Sequence, residues 1–245
     1  AGRGSRMKTY EGNKTLLPLV PGKTIFEGDH PLLLHIIESL PKGPKCIIVN
    51  FRKEEVIQAT SSYGLSYCEQ PELNGTGGAL LAASPFIENL DVESIIITMG
   101  DVPFVRSQTY QRLVEGLAHR SMMILGFIPK DKKQYGVLET QEDGVHRIIE
   151  WKYWSTFSQE IQDNLTICNS GIYAVRRKDL LAYLPILASR PQVVLKERNG
   201  IPTEIREYFI TDLVEYMVKD GLSVGFAVAE DEMEAMGIDD PSALE

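Results

Sequence analysis

Apolar and polar positions alternate along this chain in two rhythms. Residues 46–50 (CIIVN), 65–69, 94–99 (SIIITM) and 122–128 are short apolar runs, the mark of buried strands. Between them, residues 53–61 and 76–83 read as helices, and from Ser107 the side chains of Tyr110, Leu113, Val114 and Leu117 recur at helical spacing. This alternation predicts an α/β fold of the Rossmann-like, doubly wound type, with a mostly parallel mixed sheet covered by helices on both faces. Ligands of such sheets bind beyond the carboxyl ends of the strands. The Gly and Asp residues that follow the strand runs are therefore the places to look for chemistry.

The rhythm loosens in the second half. Residues 135–140 and 145–152 flank Glu142-Asp143-Gly144, a turn signal, and predict a hairpin. On that reading Glu150 and Lys152 alternate to one face of a strand. Residues 171–175 read as a strand and 179–188 as a helix despite Pro185. Residues 211–220 read as a helix with Thr211 as N-cap and Gly221 as its stop, and 222–229 as a strand. Residues 189–207, dense in charge, Pro and Gly, read as a loop. No internal repeat or linker divides the chain, so residues 1–245 are expected to form a single domain.

Composition narrows the function. The chain has 245 residues, 43% of them hydrophobic and 24% charged, which suits a sizeable globular core. The net charge of −9 argues against sequence-independent nucleic-acid binding, which rests on neutralising phosphates. The longest apolar runs are far too short to span a bilayer, so no membrane partner is expected. Charge is uneven: before Lys23 the only acid is Glu11, facing Arg3, Arg6, Lys8 and Lys14, while residues 230–245 carry seven acids and no Lys or Arg. Cys46, Cys68 and Cys168 are odd in number and lack a CxxC pair, which points to a reducing, cytoplasmic setting rather than disulfides or a zinc site. Cys46 opens an apolar run and reads as a core residue.

The start, AGRGSRM, packs two glycines and two arginines into six residues. Glycines let backbone N–H groups approach a phosphate, and Arg forks pair with phosphate oxygens; a merely flexible basic terminus would look the same. The run is neither a Walker A loop nor a full GxGxxG. SIIITMGDVPF places Gly100 and Asp101 just past a buried strand, where a carboxylate could hold Mg²⁺ or simply end the strand in a turn. QPELNGTGGAL joins Gln70, whose amide can meet a base edge, to a turn entering a helix that Thr76 could cap. ICNSGIYAV and IIEWKYW bring Asn169 and Glu150, each weak alone.

Their order is more informative than any one of them. AGRGSRM, Lys14 before an apolar run, the Gln-Gly-Thr turn, MGDVPF, YGV, EWK, NSGIYA and YFITDLVEYMVKDG follow one another as they do in sugar-1-phosphate nucleotidyltransferases. Over almost its whole length the chain resembles the uridyltransferase domain of bacterial N-acetylglucosamine-1-phosphate uridyltransferases. The resemblance implies the nucleotide-diphospho-sugar transferase fold and transfer of a nucleoside monophosphate, UTP preferred, to a sugar 1-phosphate with release of pyrophosphate. N-acetylglucosamine 1-phosphate is the first choice of acceptor, Mg²⁺ the implied cofactor, and these small molecules the implied partners. Ala1, Gly2, Arg3 and Gly4 would hold the triphosphate, and Arg6, Lys14 and Asp101 would carry catalysis. Gln70, Gly75 and Thr76 would contact the base, with Gly100 beside the nucleotide. Gly136, Glu150 and Asn169 would bind the sugar, and Asp101 and Asp240 the metal.

Departures from the family pattern are specific. The family has a hydrophobic strand before the AGRG run, and a first strand preceding Ala1 is expected. Met99 stands where uridyltransferases have tyrosine, and Lys14 follows Asn13 rather than proline. Residues 24–30 read as an insertion before the helix that contains His35, and Trp151, Tyr153 and Trp154 surround the sugar-site glutamate. No hexapeptide repeat of the acetyltransferase β-helix is present.

Overall fold

The computed structural model describes residues 12–24, 27–142, 144–198 and 201–238. A helical turn, Lys14–Leu16, leads into the strands β1 (Pro18–Thr24) and β2 (Glu27–Pro31) and then α1 (Leu32–Ser39). There follow β3 (Cys46–Val49), α2 (Lys53–Thr60), β4 (Ser66–Glu69), α3 (Gly75–Ala82), α4 (Ser84–Glu88), β5 (Ser94–Ile97), α5 (Ser107–Gly116) and β6 (Met122–Phe127). The rest comprises β7 (Val137–Gln141), β8 (Gly144–Ile149), α6 (Trp151–Trp154), α7 (Gln159–Asn164), β9 (Cys168–Arg176), α8 (Arg177–Ser189), β10 (Gln192–Arg198), β11 (Ile201–Glu207), α9 (Asp212–Lys219), β12 (Val224–Val228) and α10 (Glu232–Ala235).

A six-stranded mixed sheet forms the centre, in the order β12-β6-β9-β7-β8 with β5 also on β9. β12 pairs with β6 in parallel, whereas β9 lies antiparallel to β5, β6 and β7. Thus β5, β6, β7 and β12 run one way, and β8 and β9 the other. Every residue of β6 is buried, as the run MMILGF requires of a strand covered on both faces. Its alternate side chains divide the core: Met122 and Ile124 pack with Leu184, Leu213 and Met217, while Leu125 and Phe127 pack with Tyr110 and Leu113.

β3 and β4 form a separate parallel pair, which brings the Cys46 and Cys68 sulfurs to 3.3 Å. Cys46 is half-buried and its thiol is pushed up to about 12, by burial and by Cys68, so it is a protonated packing group. Between β3 and β5 runs a cleft of about 1090 Å³. Most of it is apolar, lined by Ile36, Ile47, Leu80, Ile87 and Ile95, and its polar end lies just past the carboxyl ends of both strands. α10 is fastened to α5 through Glu234, which accepts from the Thr109 hydroxyl and, at 2.8 Å, from Arg106.

Three readings of the sequence need correction. The expected loop over 189–207 is the antiparallel pair β10 and β11, with Val194 opposite Ile205. The signal was present, since Asn199-Gly200 between two β-prone runs is a strong hairpin dipeptide, but the surrounding charge concealed it. The strand expected over 145–152 ends at Ile149, because the Glu150 carbonyl turns back to accept from Tyr153 (2.9 Å) and Trp154 (3.2 Å), so Lys152 lies in α6. Thr211 sits at the N-cap of α9 but makes no cap bond; its hydroxyl goes elsewhere. Among the described residues no helix is long and apolar enough to cross a membrane.

Candidate active site

The polar end of the cleft is assembled by one turn and two strand ends. Asn13, nearly buried, caps the turn Lys14–Leu16: its Oδ1 accepts from Thr15 N (3.1 Å) and Thr15 Oγ1 (2.9 Å), and its Nδ2 donates to the Phe51 carbonyl (2.9 Å). The asparagine thus ties the turn to the chain just past β3. Lys14 then reaches across to Asp101, just past β5, with Nζ 2.9 Å from Oδ2. Lys14 is 12% exposed and Asp101 36%, so the pair faces the cleft while its lysine stem is shielded. Gly100 lets this approach happen, since a Cβ there would lie 2.9 Å from Thr15 Cγ2. Asp101 also accepts from Ile238 N at 2.8 Å through its carbonyl.

The opposite wall is the turn entering α3. Gln70 is 3% exposed, and its Nε2 donates to Asn74 Oδ1 (2.9 Å) and to the Gly75 carbonyl (3.1 Å). Both amide protons are therefore committed within the turn, and a base would meet Gln70 as an acceptor or would have to displace Asn74. Gly75 has φ +93, and a Cβ there would lie 2.4 Å from the Tyr208 carbonyl oxygen. That carbonyl accepts from Gly77 N at 2.8 Å, and Thr76 Oγ1 accepts from Ile210 N at 3.3 Å. Thr76 is thus spent on the segment before α9 rather than on capping its own helix.

The residues expected to bind sugar form a second group. Asn169 N donates to the Gly136 carbonyl (2.8 Å), its Nδ2 donates to the buried Tyr173 hydroxyl (2.9 Å), and its Oδ1 accepts from Gly171 N (3.0 Å). A bulge in the β6–β9 register falls here, and Gly171, with φ +80, absorbs it. Glu150 sits at the N-cap position of α6 without a side-chain cap bond and accepts from Thr211 Oγ1 at 3.0 Å. Burial pushes its carboxyl above the ordinary value; the Thr211 bond and Lys152 pull the other way, and Asp212 adds to the rise. Asp212 is raised in turn, again chiefly by burial, and accepts from Gln192 Nε2 on both oxygens (2.9 and 3.0 Å). Sequence reasoning passed over Asp212; the only signal was its place after the YFIT run at the start of α9.

Lys14, Gln70, Gly75, Thr76, Gly100 and Asp101 all line the one cleft, and Gly136, Glu150 and Asn169 do not. Two contacts join the groups. Met99 packs on Gly171, its Cγ 3.0 Å from where a Cβ would stand, and the 208–211 segment touches both Gly77 and Glu150. Of the tryptophans, Trp154 is buried and donates to the Tyr135 carbonyl, whereas Trp151 is exposed. Ala1, Gly2, Arg3, Gly4, Arg6 and Asp240 lie outside the described residues.

The mixed α/β sheet, with its polar cleft at the carboxyl ends of β3 and β5, is the architecture of nucleotidyltransferases. The chain belongs to the MobA-like NTP transferase domain family, whose profile matches residues 1–166. It is 28% identical to the bifunctional protein GlmU of Cereibacter sphaeroides over 100% of this chain and 49% of that protein, and 26% identical to GlmU of Francisella tularensis over 100% and 48%. The chain thus spans about half the length of these curated relatives. Among solved structures, one from Bacillus anthracis described as a glucose-1-phosphate thymidylyltransferase superposes with a TM-score of 0.68 at 19% identity, covering 99% of this chain and 91% of its own. A CMP:2-keto-3-deoxy-manno-octonic acid synthetase complexed with CTP gives 0.60 at 14%, covering 97% and 90%. Both establish the fold as that of nucleotide-diphospho-sugar transferases.

Proposed function

We propose that this protein joins a nucleoside monophosphate from an NTP to a sugar 1-phosphate and releases pyrophosphate. The Lys14–Asp101 contact at 2.9 Å, facing the Gln70–Thr76 turn across one cleft, carries this reading. An oxygen of the sugar phosphate attacks the α-phosphorus in line. The bond to the β-phosphate oxygen breaks, and pyrophosphate leaves with the electron pair. Both reactants are anions, so positioning and charge neutralisation supply the catalysis, and no general base is needed. Lys14 offsets charge on the phosphates, and Arg6 is assigned the same role.

The donor set at Asp101 fits Mg²⁺. It offers a hard carboxylate with one oxygen held by Lys14, open to a cleft where substrate phosphates complete the shell. When bound, the ion would supply further neutralisation of phosphate charge. Asp240 is the second ligand we assign. Gln70 and Gly75 motivate UTP, and Glu150 and Asn169 a hydroxyl-rich acceptor with N-acetylglucosamine 1-phosphate first.

A second reading keeps the chemistry and changes the acceptor. Trp151 and Tyr153, 40% and 52% exposed, flank Lys152 close to Glu150. Lys152 Nζ already stands over the Tyr153 ring, 4.6 Å from its centroid, so these aromatics single out no acceptor, and another sugar phosphate, phosphocholine and a polyol phosphate are the alternatives. Pyrophosphate release, measured with each NTP against sugar 1-phosphates, a polyol phosphate and phosphocholine, decides between them. Nucleotide binding without turnover on any acceptor would instead make this a non-catalytic nucleotide-binding module.

A further inference from the structure

A cluster of metal-binding side chains stands on the β1–β2 and α1 elements. His30 Nε2 lies 3.2 Å from His35 Nδ1 and 3.5 Å from Glu38 Oε2. One ligand atom from each of the three falls within 4.8 Å of the others. A tetrahedral ion with ligands at about 2.1 Å imposes ligand–ligand edges of about 3.4 Å. Two edges of that figure are already present.

We propose that His30, His35 and Glu38 form a site for a borderline divalent transition-metal ion, Zn²⁺ in the first instance, with the fourth position open to water. The local sequence builds it. In α1 (LLLHIIES) Leu33, Ile36 and Ile37 are buried, which leaves His35 and Glu38, three residues apart, together on the outer face. His30 is delivered from the end of β2 with φ 58, a left-handed conformation uncommon outside glycine. Tyr63 donates to Glu38 Oε1 at 2.6 Å, fixing the carboxylate with its other oxygen towards His30. This is the outer-shell contact that orients a ligating group. Two imidazoles and one carboxylate select zinc-like ions over Mg²⁺, so the site differs in chemistry from the one at Asp101. The His35 ring meets the Phe104 edge, with centroids 6.4 Å apart, which links the cluster to the loop after β5.

The test is calorimetric titration of ZnCl2 into the full chain, free of any polyhistidine tag and first dialysed against EDTA. Co²⁺ absorption serves as a second probe of tetrahedral geometry. One equivalent should bind, with the intense visible band of tetrahedral Co²⁺. His30→Ala and His35→Ala should each weaken binding by on the order of 100-fold, and Tyr63→Phe by about 10-fold, the lower range for an outer-shell contact. Glu38→Gln, conservative in shape and exposed, keeps the test sound should a histidine variant fold poorly. His146→Ala and Cys46→Ser/Cys68→Ser should bind as the parent does. The proposal is overturned if the parent shows no saturable binding, which would leave a plain histidine–histidine hydrogen bond. Unchanged affinity in the His30, His35 and Glu38 variants, or loss only in the cysteine variant, overturns it equally.

Discussion

Lys14 Nζ meets Asp101 Oδ2 at 2.9 Å, closing the carboxyl ends of β3 and β5 into one polar mouth. Asp101→Ala is expected to lower kcat by roughly 10² to 10³, the scale of losing a preorganised electrostatic group. Because the two side chains touch, the double variant Lys14→Ala/Asp101→Ala should lose less than the product of the single losses. Steady-state pyrophosphate release measures all three, and fully multiplicative losses would show that the residues act separately.

Gln70 commits both amide protons to its own turn, and it is the group we propose reads the base. Gln70→Ala should flatten the nucleotide preference by roughly 1–3 kcal/mol, the cost of hydrogen bonds left unmade with the wrong partner. The comparison is kcat/KM for UTP, CTP, ATP and dTTP. Equal values in the unmutated protein would remove this role.

Glu150 has its carboxyl raised by burial, which sets a definite pH dependence. A raised folded value means that the fold favours the neutral acid. The stabilising preference is fully present below the ordinary value of 4.5 and is lost as pH rises through the folded value. Glu150→Gln keeps a partner for Thr211 and removes the buried charge. Its melting temperature should therefore exceed that of the parent at neutral pH, with the gap closing in acid. KM for the acceptor should rise while nucleotide binding stays nearly intact. A Glu150→Gln protein less stable at pH 7 than at pH 5, relative to the parent, would contradict the sign.

Gly75 offers a test of packing. Gly75→Ala must hold φ +93 and place a methyl 2.4 Å from the Tyr208 oxygen. Gly221→Ala holds a similar φ of +82 with nothing within 4 Å. The second should cost about 1 kcal/mol and the first distinctly more, because strain and overlap add. Urea denaturation of both variants gives the difference. Equal costs would mean that the Tyr208 carbonyl gives way freely.

Much of the frame was legible because β6 is a continuous apolar run and α5 and α9 carry helical periodicity. The placing of Asp101 after β5 followed from the apolar run SIIITM and the Gly100 that ends it. What escaped were features decided by distant partners. Thr211 looks like a cap but spends its hydroxyl on Glu150, sixty-one residues away in sequence. Asp212 gains its raised carboxyl from burial against elements that no local pattern announces. Asn13 stands where the resemblance implies proline, and only the structure shows that it ties the Lys14 turn to Phe51.

Asp240 lies outside the described residues, two positions beyond Ile238, whose N–H donates to the Asp101 carbonyl. Asp240→Asn should remain active, because an amide still offers a hard oxygen, but should need more Mg²⁺ for half-maximal rate. An unchanged Mg²⁺ dependence, with full activity in Asp240→Ala, would leave Asp101 as the sole protein ligand assigned.

The short stretch before α9 has a thermodynamic consequence. Its Tyr208 carbonyl accepts from Gly77 N in the turn proposed to hold the base, and its Thr211 hydroxyl donates to Glu150, proposed to bind the acceptor. Only four residues of backbone, 208–211, separate the two contacts. For the reaction proposed here, the two substrates are therefore expected to be linked in their equilibria. Whatever factor the nucleotide applies to acceptor affinity, the acceptor must return to the nucleotide unchanged.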